Sequence, residues 1–402
     1  MISVDKALGI ILENVFSLDT VTTGINSAFG RVLAEDIVSD IDIPPFNKSA
    51  MDGYAVRASD LSDVPSVLKV IDSISAGSIS RKKLQPGTCV KIMTGAPVPE
   101  GADAVVMIED TELVSDASVC FTKKVKPGQN VCTRGEDITK GVTILRKGTI
   151  IKGPEIAVCA SVGRAFVNVV RTPTVGIVST GSEIVEPSHP LEVGKIRNSN
   201  GPMLESLVKG TGFSAEYLGL ARDNEDELSE VMARGFRKDV LLLSGGVSMG
   251  DYDLIPEILE KQGAQVLFHK VRVKPGKPLL FAKKDGCQIF GIPGNPVSNF
   301  TTFFMFIKPA LFKMMGRSDY PPEFIDAMLA TDFTSTSKRV LVVPSSCWVE
   351  RGMFNVTPFM LNGSADIVGC IGANCLSIME EGVHKKGERI RVLLLGDGLY
   401  TW

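Results

Sequence analysis

The feature that most constrains this chain is a change of rhythm at Thr174. From there, apolar runs of strand length alternate with helix-length segments. Val175-Gly176-Ile177-Val178 is followed by a helical stretch from Gly201 to Val208, then by Tyr217-Leu218-Gly219-Leu220, a helix through Phe236, and Val240-Leu241-Leu242-Leu243. A strand with no polar position on either face belongs inside a parallel sheet covered on both sides. Strand–helix alternation builds such a sheet. Asn224 and Glu227 supply an N-cap and a capping-box partner for the helix through Phe236. Residues 254–262 read as helix, and 265–268, 279–282 and 287–292 as strands. A long apolar helix follows the Pro293-Gly294-Asn295-Pro296 turn, so the middle third is an α/β layer structure.

The flanks have a different texture. Residues 3–16 read as a helix capped by Ser3, with Val4, Leu8, Ile11, Leu12 and Val15 as its apolar stripe. From about 40 to 170, short runs such as Val90-Lys91-Ile92 and Ala104-Val105-Val106-Met107-Ile108 alternate with proline and glycine turns, which predicts a β-rich region. After Pro321-Pro322, a linker candidate, the chain is again β-rich, as in Val340-Leu341-Val342-Val343 and Ile390-Arg391-Val392-Leu393-Leu394-Leu395. A chain of 402 residues also exceeds one compact domain at roughly 150 residues each.

Charge and cysteine usage narrow the function classes. Lys plus Arg is 43 and Asp plus Glu 46, a formal charge of −3, which argues against nucleic-acid or acidic-membrane binding. Asp5, Lys6 and Glu13 break any signal-peptide run. The most apolar stretch, Phe303 to Ile307, ends at Lys308-Pro309 and falls short of the ~20 residues of a spanning helix. Eight scattered cysteines without a C-x-x-C pair read as reduced structural thiols, and hence as a cytoplasmic protein. Three dispersed histidines make a zinc site improbable.

Glycine supplies 39 residues, about a tenth against an average near 7%. Part of it lies in three polar loops at predicted strand ends: Ser179 to Glu183, Ser244 to Asp253, and Gly291 to Ser298. Ligands of open α/β sheets sit beyond the carboxyl ends of the strands, where glycines let backbone N–H groups approach a phosphate. One such loop is usually only a tight turn; three in one domain point to a ligand. Neither a Walker A nor a G-x-G-x-x-G spacing is present.

Two further groups carry charge. If residues 270–274 are extended, Lys270, Arg272 and Lys274 share one face, and Pro275-Gly276 folds Lys277 beside them. Such a cluster either binds an anion or guards a sheet edge. In the N-terminal region stand Asn47 to Tyr54, Met93 to Pro97 and Arg134 to Asp137. Asp52-Gly53 reads as a turn pair, and Asp137 as a cap or a partner of Arg134; alternatively Asp52, Glu136 and Asp137 are oxygen ligands or proton carriers.

These residues resemble the molybdopterin molybdenumtransferase (MoeA) family. The resemblance runs through Pro44 to Val56, Met93 to Pro97, Arg134 to Asp137, Ser244 to Ser248, Lys274 to Pro278 and Pro293 to Pro296, in family order over essentially the whole chain. It implies a multidomain α/β plus β protein. A central α/β three-layer molybdopterin-binding domain is expected at 171–318, and a C-terminal β-barrel-like domain at 322–402. Residues 1–170 would form the N-terminal region, with a β-rich inserted domain at about 41–140 and 1–24 packed on the α/β domain. The implied activity is insertion of molybdenum from molybdate into adenylylated molybdopterin with release of AMP, the last step of molybdenum-cofactor synthesis, with Mg²⁺ as helper ion. The implied assembly is a homodimer with a shared active site, and a molybdopterin adenylyltransferase is a possible partner.

Carried over by motif, Asp52, Asp137, Lys270 and Lys274 are the expected catalytic residues. Thr94, Arg134, Glu183, Asp223 and Asp253 are expected to bind substrate, with Ser244, Gly245, Gly246 and Ser248 of the second loop. Lys277, Pro293, Asn295, Pro296 and Ser364 complete that set, and Asp52, Glu183 and Asp253 are the expected metal ligands. Asn47 stands where the family usually has an acid, Ser182 where it has Asp, and Cys132 and Thr133 where many members are basic. The alternative is a non-catalytic scaffold, since gephyrin contains a similar dimeric domain; these 402 residues carry no adenylyltransferase domain or long linker, which disfavours it. A phosphoester-cleaving enzyme sharing only the α/β domain is disfavoured by the flanking motifs.

Overall fold

The Val240–Ser244 strand is buried along its whole length, and the larger part of the chain is layered around it. The computed structural model describes residues 1–247, 254–318 and 324–396. They form two compact units. One comprises Met1–Glu35, Gly148–Ile156 and Phe166–Trp402; the other comprises Asp36–Lys147 and Ala157–Ala165.

In the first unit a six-stranded sheet has the order Ser214–Ala221, Thr174–Thr180, Val240–Ser244, Cys287–Ile292, Leu280–Lys284, Gln265–His269. The first four are parallel, and Leu280–Lys284 pairs antiparallel with both Cys287–Ile292 and Gln265–His269. Alternate side chains feed two apolar layers, as a central strand requires. Leu242, Ile177 and Phe290 meet α1 (Val4–Asn14) through Ala7 and Ile11. Leu241, Leu243 and Ile289 face Leu228, Met232, Ile258 and Leu259 on the other side. Each such side chain contributes roughly 1.5–3 kcal/mol by leaving water. The N-terminal helix shares this core, and Ser3 Oγ at its cap accepts from Lys6 N–H at 3.2 Å.

The helices differ from expectation in three details. The chain forms α2 (Gly153–Ser161) within the stretch read as β-rich. Pro154 in its first turn opens the helix, and Glu155 accepts from Lys152 N–H at 2.8 Å. After α3 (Asn200–Gly210), helix α4 (Glu225–Gly235) is capped by Asn224, which accepts from Glu227 N–H at 2.9 Å. The Glu227 carboxylate, however, reaches back to Arg222 N–H rather than to the cap, so the capping box is half formed. Following α5 (Ile255–Lys261), the single long apolar helix is α6 (Pro296–Thr302), a π-helical turn over Phe303–Ile307 and α7 (Lys308–Met314). Pro309 lacks the N–H that would reach Met305, and its ring crowds that carbonyl, so the ladder widens there.

The C-terminal strands close on themselves. Val340–Glu350, Met353–Pro358, Phe324–Leu329, Arg389–Leu394 and Cys375–Met379 form a five-stranded ring, because the last pairs again with the first. Closure leaves these strands no open sheet edge. The short Val273–Lys274 strand adds to this ring in parallel with Val340–Leu341. The Pro321-Pro322 linker candidate lies outside the described residues.

The second unit spans a slightly longer segment than the expected insert. Its sheet has the order Ala104–Met107, Gly53–Val56, Thr88–Ile92, Ser66–Ile74, Ser118–Phe121, Thr111–Ser115. Gly53 is no turn residue here: it begins a buried strand, and a Cβ would lie 1.9 Å from Val106 O. Close strand approach, not a left-handed turn, requires this glycine.

Asp239 fixes the entry to the central strand. It holds Arg171 by two bonds of 2.7 and 2.6 Å and accepts from Thr174 N–H and Oγ at 2.8 Å. Burial pushes the Asp239 carboxyl up, but the Arg171 and Thr174 bonds outweigh it and hold it below its usual value. That stability is present above the unfolded carboxyl range near pH 4 and is lost as pH falls through the lower folded value. Asp239→Asn should cost about 2 kcal/mol at pH 7, discounted for water contact. Chemical denaturation at pH 7 and below pH 3.5 should show the gap between wild type and variant shrinking in acid.

Candidate functional site

The carboxyl ends of the parallel strands open into a cavity of about 1240 Å³. The loop after Thr174–Thr180 supplies Gly181 and Glu183, the loop after Ser214–Ala221 supplies Asp223, and the loop after Val240–Ser244 supplies Gly245, Gly246 and Val247. Pro293, Gly294, Asn295 and Pro296 follow Cys287–Ile292. The barrel closes the cavity with Phe333 to Ser337, Arg339 and Ser364.

Close packing explains why the second loop needs glycine. Gly245 has φ +106°, and a Cβ there would stand 2.3 Å from Thr180 O; one on Gly246, at φ +62°, would stand 2.9 Å from Ile255. Asn200 at the start of α3 clamps two loops, donating to Ser244 Oγ at 3.0 Å and to Gly294 O at 2.7 Å. Buried Asn299 donates to Pro293 O at 2.8 Å and Asn295 O at 3.1 Å, holding the Pro-Gly-Asn-Pro turn. Asn295 in turn donates to Ser364 Oγ at 2.9 Å. Ser179, Asn198 and Tyr217 form a chain of bonds ending on Glu186. Burial and the adjacent Glu186 push the Tyr217 hydroxyl up, so it stays protonated and donates.

The cationic segment departs from expectation. Lys270 has φ +87°, so 270–274 is not one extended strand. The chain turns there because Ile2 N–H donates to Lys270 O while Arg272 N–H donates to Ile2 O. Lys270 is not among the cavity walls, whereas Lys274, Pro275, Gly276, Lys277 and Pro278 are. Gly276 turns the chain at φ +105°, and Lys274 and Lys277 on its two sides both line the cavity. Arg339, which the sequence reading missed, joins them: its Nη1 donates to Val273 O at 3.0 Å. Its only sequence signal was Lys338-Arg339 ahead of a strand. Ser244 is buried behind the wall, and Ser248 and Asp253 lie outside the described residues.

Ser182, in place of the family's acid, makes a reciprocal staple: Ser182 N–H donates to Asp223 Oδ2 at 2.9 Å, and Asp223 N–H donates to Ser182 Oγ at 3.2 Å. The lost carboxylate is thus replaced by a neutral brace between two cavity loops.

The second unit presents its own polar surface. Asp52 Oδ1 accepts from Thr94 N–H and Oγ, both at 2.7 Å, and these two bonds hold the exposed carboxyl below its usual range. Asp42 accepts from Lys140 N–H at 2.8 Å and Arg134 Nε at 2.6 Å, which lower it likewise. Arg134 therefore pairs with Asp42, not Asp137. Asn47 Oδ1 accepts from Arg134 N–H at 2.8 Å, so an acceptor is kept at this position without the charge. Glu136 accepts from Thr133 N–H at 2.7 Å and Thr133 Oγ at 3.0 Å, and Asp137 beside it is exposed. Among the described residues no group of three or more His, Cys, Asp or Glu side chains is arranged to hold a metal.

Comparison with known proteins agrees with this architecture. Residues 2–163 match the MoeA N-terminal region (domain I and II), 176–313 a probable molybdopterin binding domain, and 326–395 the MoeA C-terminal region (domain IV). A molybdopterin molybdenumtransferase of Staphylococcus epidermidis is 37% identical over 400 residues, covering 98% of this chain and 95% of that one. The chain belongs to the molybdopterin molybdenumtransferase (MoeA) family. A relative of the same description from Staphylococcus aureus is also 37% identical over the same share. The MoeA crystal structure from Pyrococcus horikosii superposes with a TM-score of 0.84 at 33% identity, covering 98% of this chain and 99% of that one. The expected fold class, α/β with a β-rich region and a C-terminal barrel, is that of this family. No helix among the described residues is long and apolar enough to cross a membrane.

Two substitutions probe these arrangements. Gly245→Ala should remove ligand binding and lower the melting temperature, since the alanine meets a backbone carbonyl at a strained φ; unchanged melting would refute the close-packing argument. Thr94→Val should let the Asp52 carboxyl rise toward its ordinary value, read by carbon-13 NMR titration of the labelled side chain.

Proposed function

We propose that this protein inserts molybdenum from molybdate into adenylylated molybdopterin and releases AMP. The observation that carries this is one large cavity whose walls bear Lys274, Lys277 and Arg339 beside the carboxylates Glu183 and Asp223. Its volume exceeds the roughly 300–1,000 Å³ of ordinary small-molecule sites, in keeping with a pterin joined to a nucleotide. The names of the staphylococcal relatives support the same reaction. Nothing observed favours a scaffold.

The three cations attract the doubly charged tetraoxo substrate, and the partly enclosed site strengthens each contact relative to water. Gly245 and Gly246 let this loop pack against Thr180 and Ile255, which sets its backbone along the cavity wall. Glu183 and Asp223 are hard oxygen donors of the kind Mg²⁺ takes, one or two carboxylates completed by substrate phosphate, and they would hold it. When bound, that ion would neutralise charge on the phosphates of the departing nucleotide. Asp52, whose carboxylate is stabilised by the two Thr94 bonds, would orient a reacting group or hold a cation.

The working assembly we propose is a homodimer in the cytoplasm, in which Asp52, Thr94, Arg134 and Asp137 of one copy serve the cavity of the other. An adenylyltransferase would deliver the substrate. Purified protein with adenylylated molybdopterin, molybdate and Mg²⁺ should release AMP and yield active cofactor; absence of both rejects the reaction. Lys274→Ala should lower turnover by about a hundredfold without unfolding. Mixed dimers of Asp52→Ala and Lys274→Ala chains should regain partial activity, and no recovery after confirmed mixing would exclude a shared site.

A further inference from the structure

The cavity has two chemically unlike sides. The α/β loops bring glycines, prolines and carboxylates, whereas the barrel brings Phe333, Phe359, Met360, Leu361 and Ile367. Met360 is 84% exposed, and the other four are partly exposed. The loop that carries the last four is nonetheless braced. Asp366 accepts from Asn362 N–H at 3.0 Å and from Gly369 N–H at 3.2 Å, and Ser364 O accepts from Val297 N–H at 3.1 Å. Apolar side chains held against water inside a cavity mark a surface that a ligand covers.

Two observations say what kind of ligand. Thr334 and Thr336 also line the cavity from the barrel, exposed, and their hydroxyls have no hydrogen-bond partner among the described residues. An apolar surface edged with free hydroxyls matches a flat heteroaromatic ring, apolar on its faces and hydrogen-bonding at its rim. The second observation is a distance. Lys274 pairs with Leu341, and farther along that strand Pro344 O accepts from Phe359 N–H at 3.0 Å. At ~3.3 Å per residue, the apolar loop begins about 10 Å along the strand from the lysine proposed to hold the oxyanion.

We infer that Phe359, Met360 and Leu361, edged by Thr334 and Thr336, hold the pterin ring of the substrate on the barrel. This rests on the proposed reaction. Molybdenum joins the two sulfurs of molybdopterin, which sit on the ring fused to the pterin. The pterin therefore lies within one fused ring system of the oxyanion, and the span along the strand fits that length. Adenine is separated from the same sulfurs by phosphates and a ribose, and reaches farther. A methionine thioether suits the face of such a ring because it is polarisable and adapts its shape.

Calorimetric titration of the full chain with molybdopterin, with AMP and with molybdate tests this without requiring turnover. Met360→Ser should weaken molybdopterin about tenfold while AMP and molybdate stay within about twofold. Its melting temperature should match wild type, because the side chain is exposed. Met360→Leu, which keeps an apolar side chain, should hold molybdopterin within about threefold of wild type. Unchanged molybdopterin affinity in Met360→Ser overturns the assignment, as does equal weakening of all three ligands. Selective loss of AMP puts adenine at this wall and overturns it too. A wild-type chain that binds no molybdopterin does the same. Failure of AMP release despite Met360-dependent molybdopterin binding counts instead against the reaction and leaves the pterin wall in place.

Discussion

Everything at the cavity depends on the burial of one apolar strand. Val240–Ser244 can sit only between neighbours that pair with it on both edges and layers that cover it on both faces. With Thr174–Thr180 and Cys287–Ile292 parallel to it, three strand ends open at the same side. Gly245 and Gly246 then pass so near Thr180 that no other residue fits without shifting the loop. The cavity's floor is therefore a consequence of how the core is filled.

Much of this was legible in the sequence because the signals were local. The unbroken apolar run of Val240 to Leu243, the Asn224 cap and the proline–glycine turns each reflect physics acting over a few residues. The grouping of glycine loops was legible for the same reason. Lys270 was misplaced because the alternation rule assumes continuous extension, and a bond to Ile2, distant in sequence, ends the strand there. Arg339 and Asn200 were invisible as site residues because their roles arise from pairing across elements. The same holds for Asp42, whose hold on Arg134 spans 92 residues.

The departures at Asn47 and Ser182 have a common physical meaning. At both positions an acid's acceptor function survives while its charge does not: Asn47 still receives Arg134 N–H, and Ser182 still receives Asp223 N–H. A hydrogen bond to a neutral oxygen is weaker than one to a carboxylate. At Ser182 it also leaves less negative charge on a loop that borders the cavity. The cavity thus retains Glu183 and Asp223 as carboxylates without a third crowding Asp223.

The Val273–Lys274 strand adds an unobvious property. It belongs by chain to the α/β layers, yet its backbone hydrogen bonds go to the barrel strand beginning at Val340, and Arg339 grips Val273 O. The lysines are therefore strung between two bodies like a cable between anchorages. A tilt of the barrel would therefore change the spacing of Lys274 and Arg339. Substitutions in the barrel core, with no polar atom near the ligand, can detune the site from a distance.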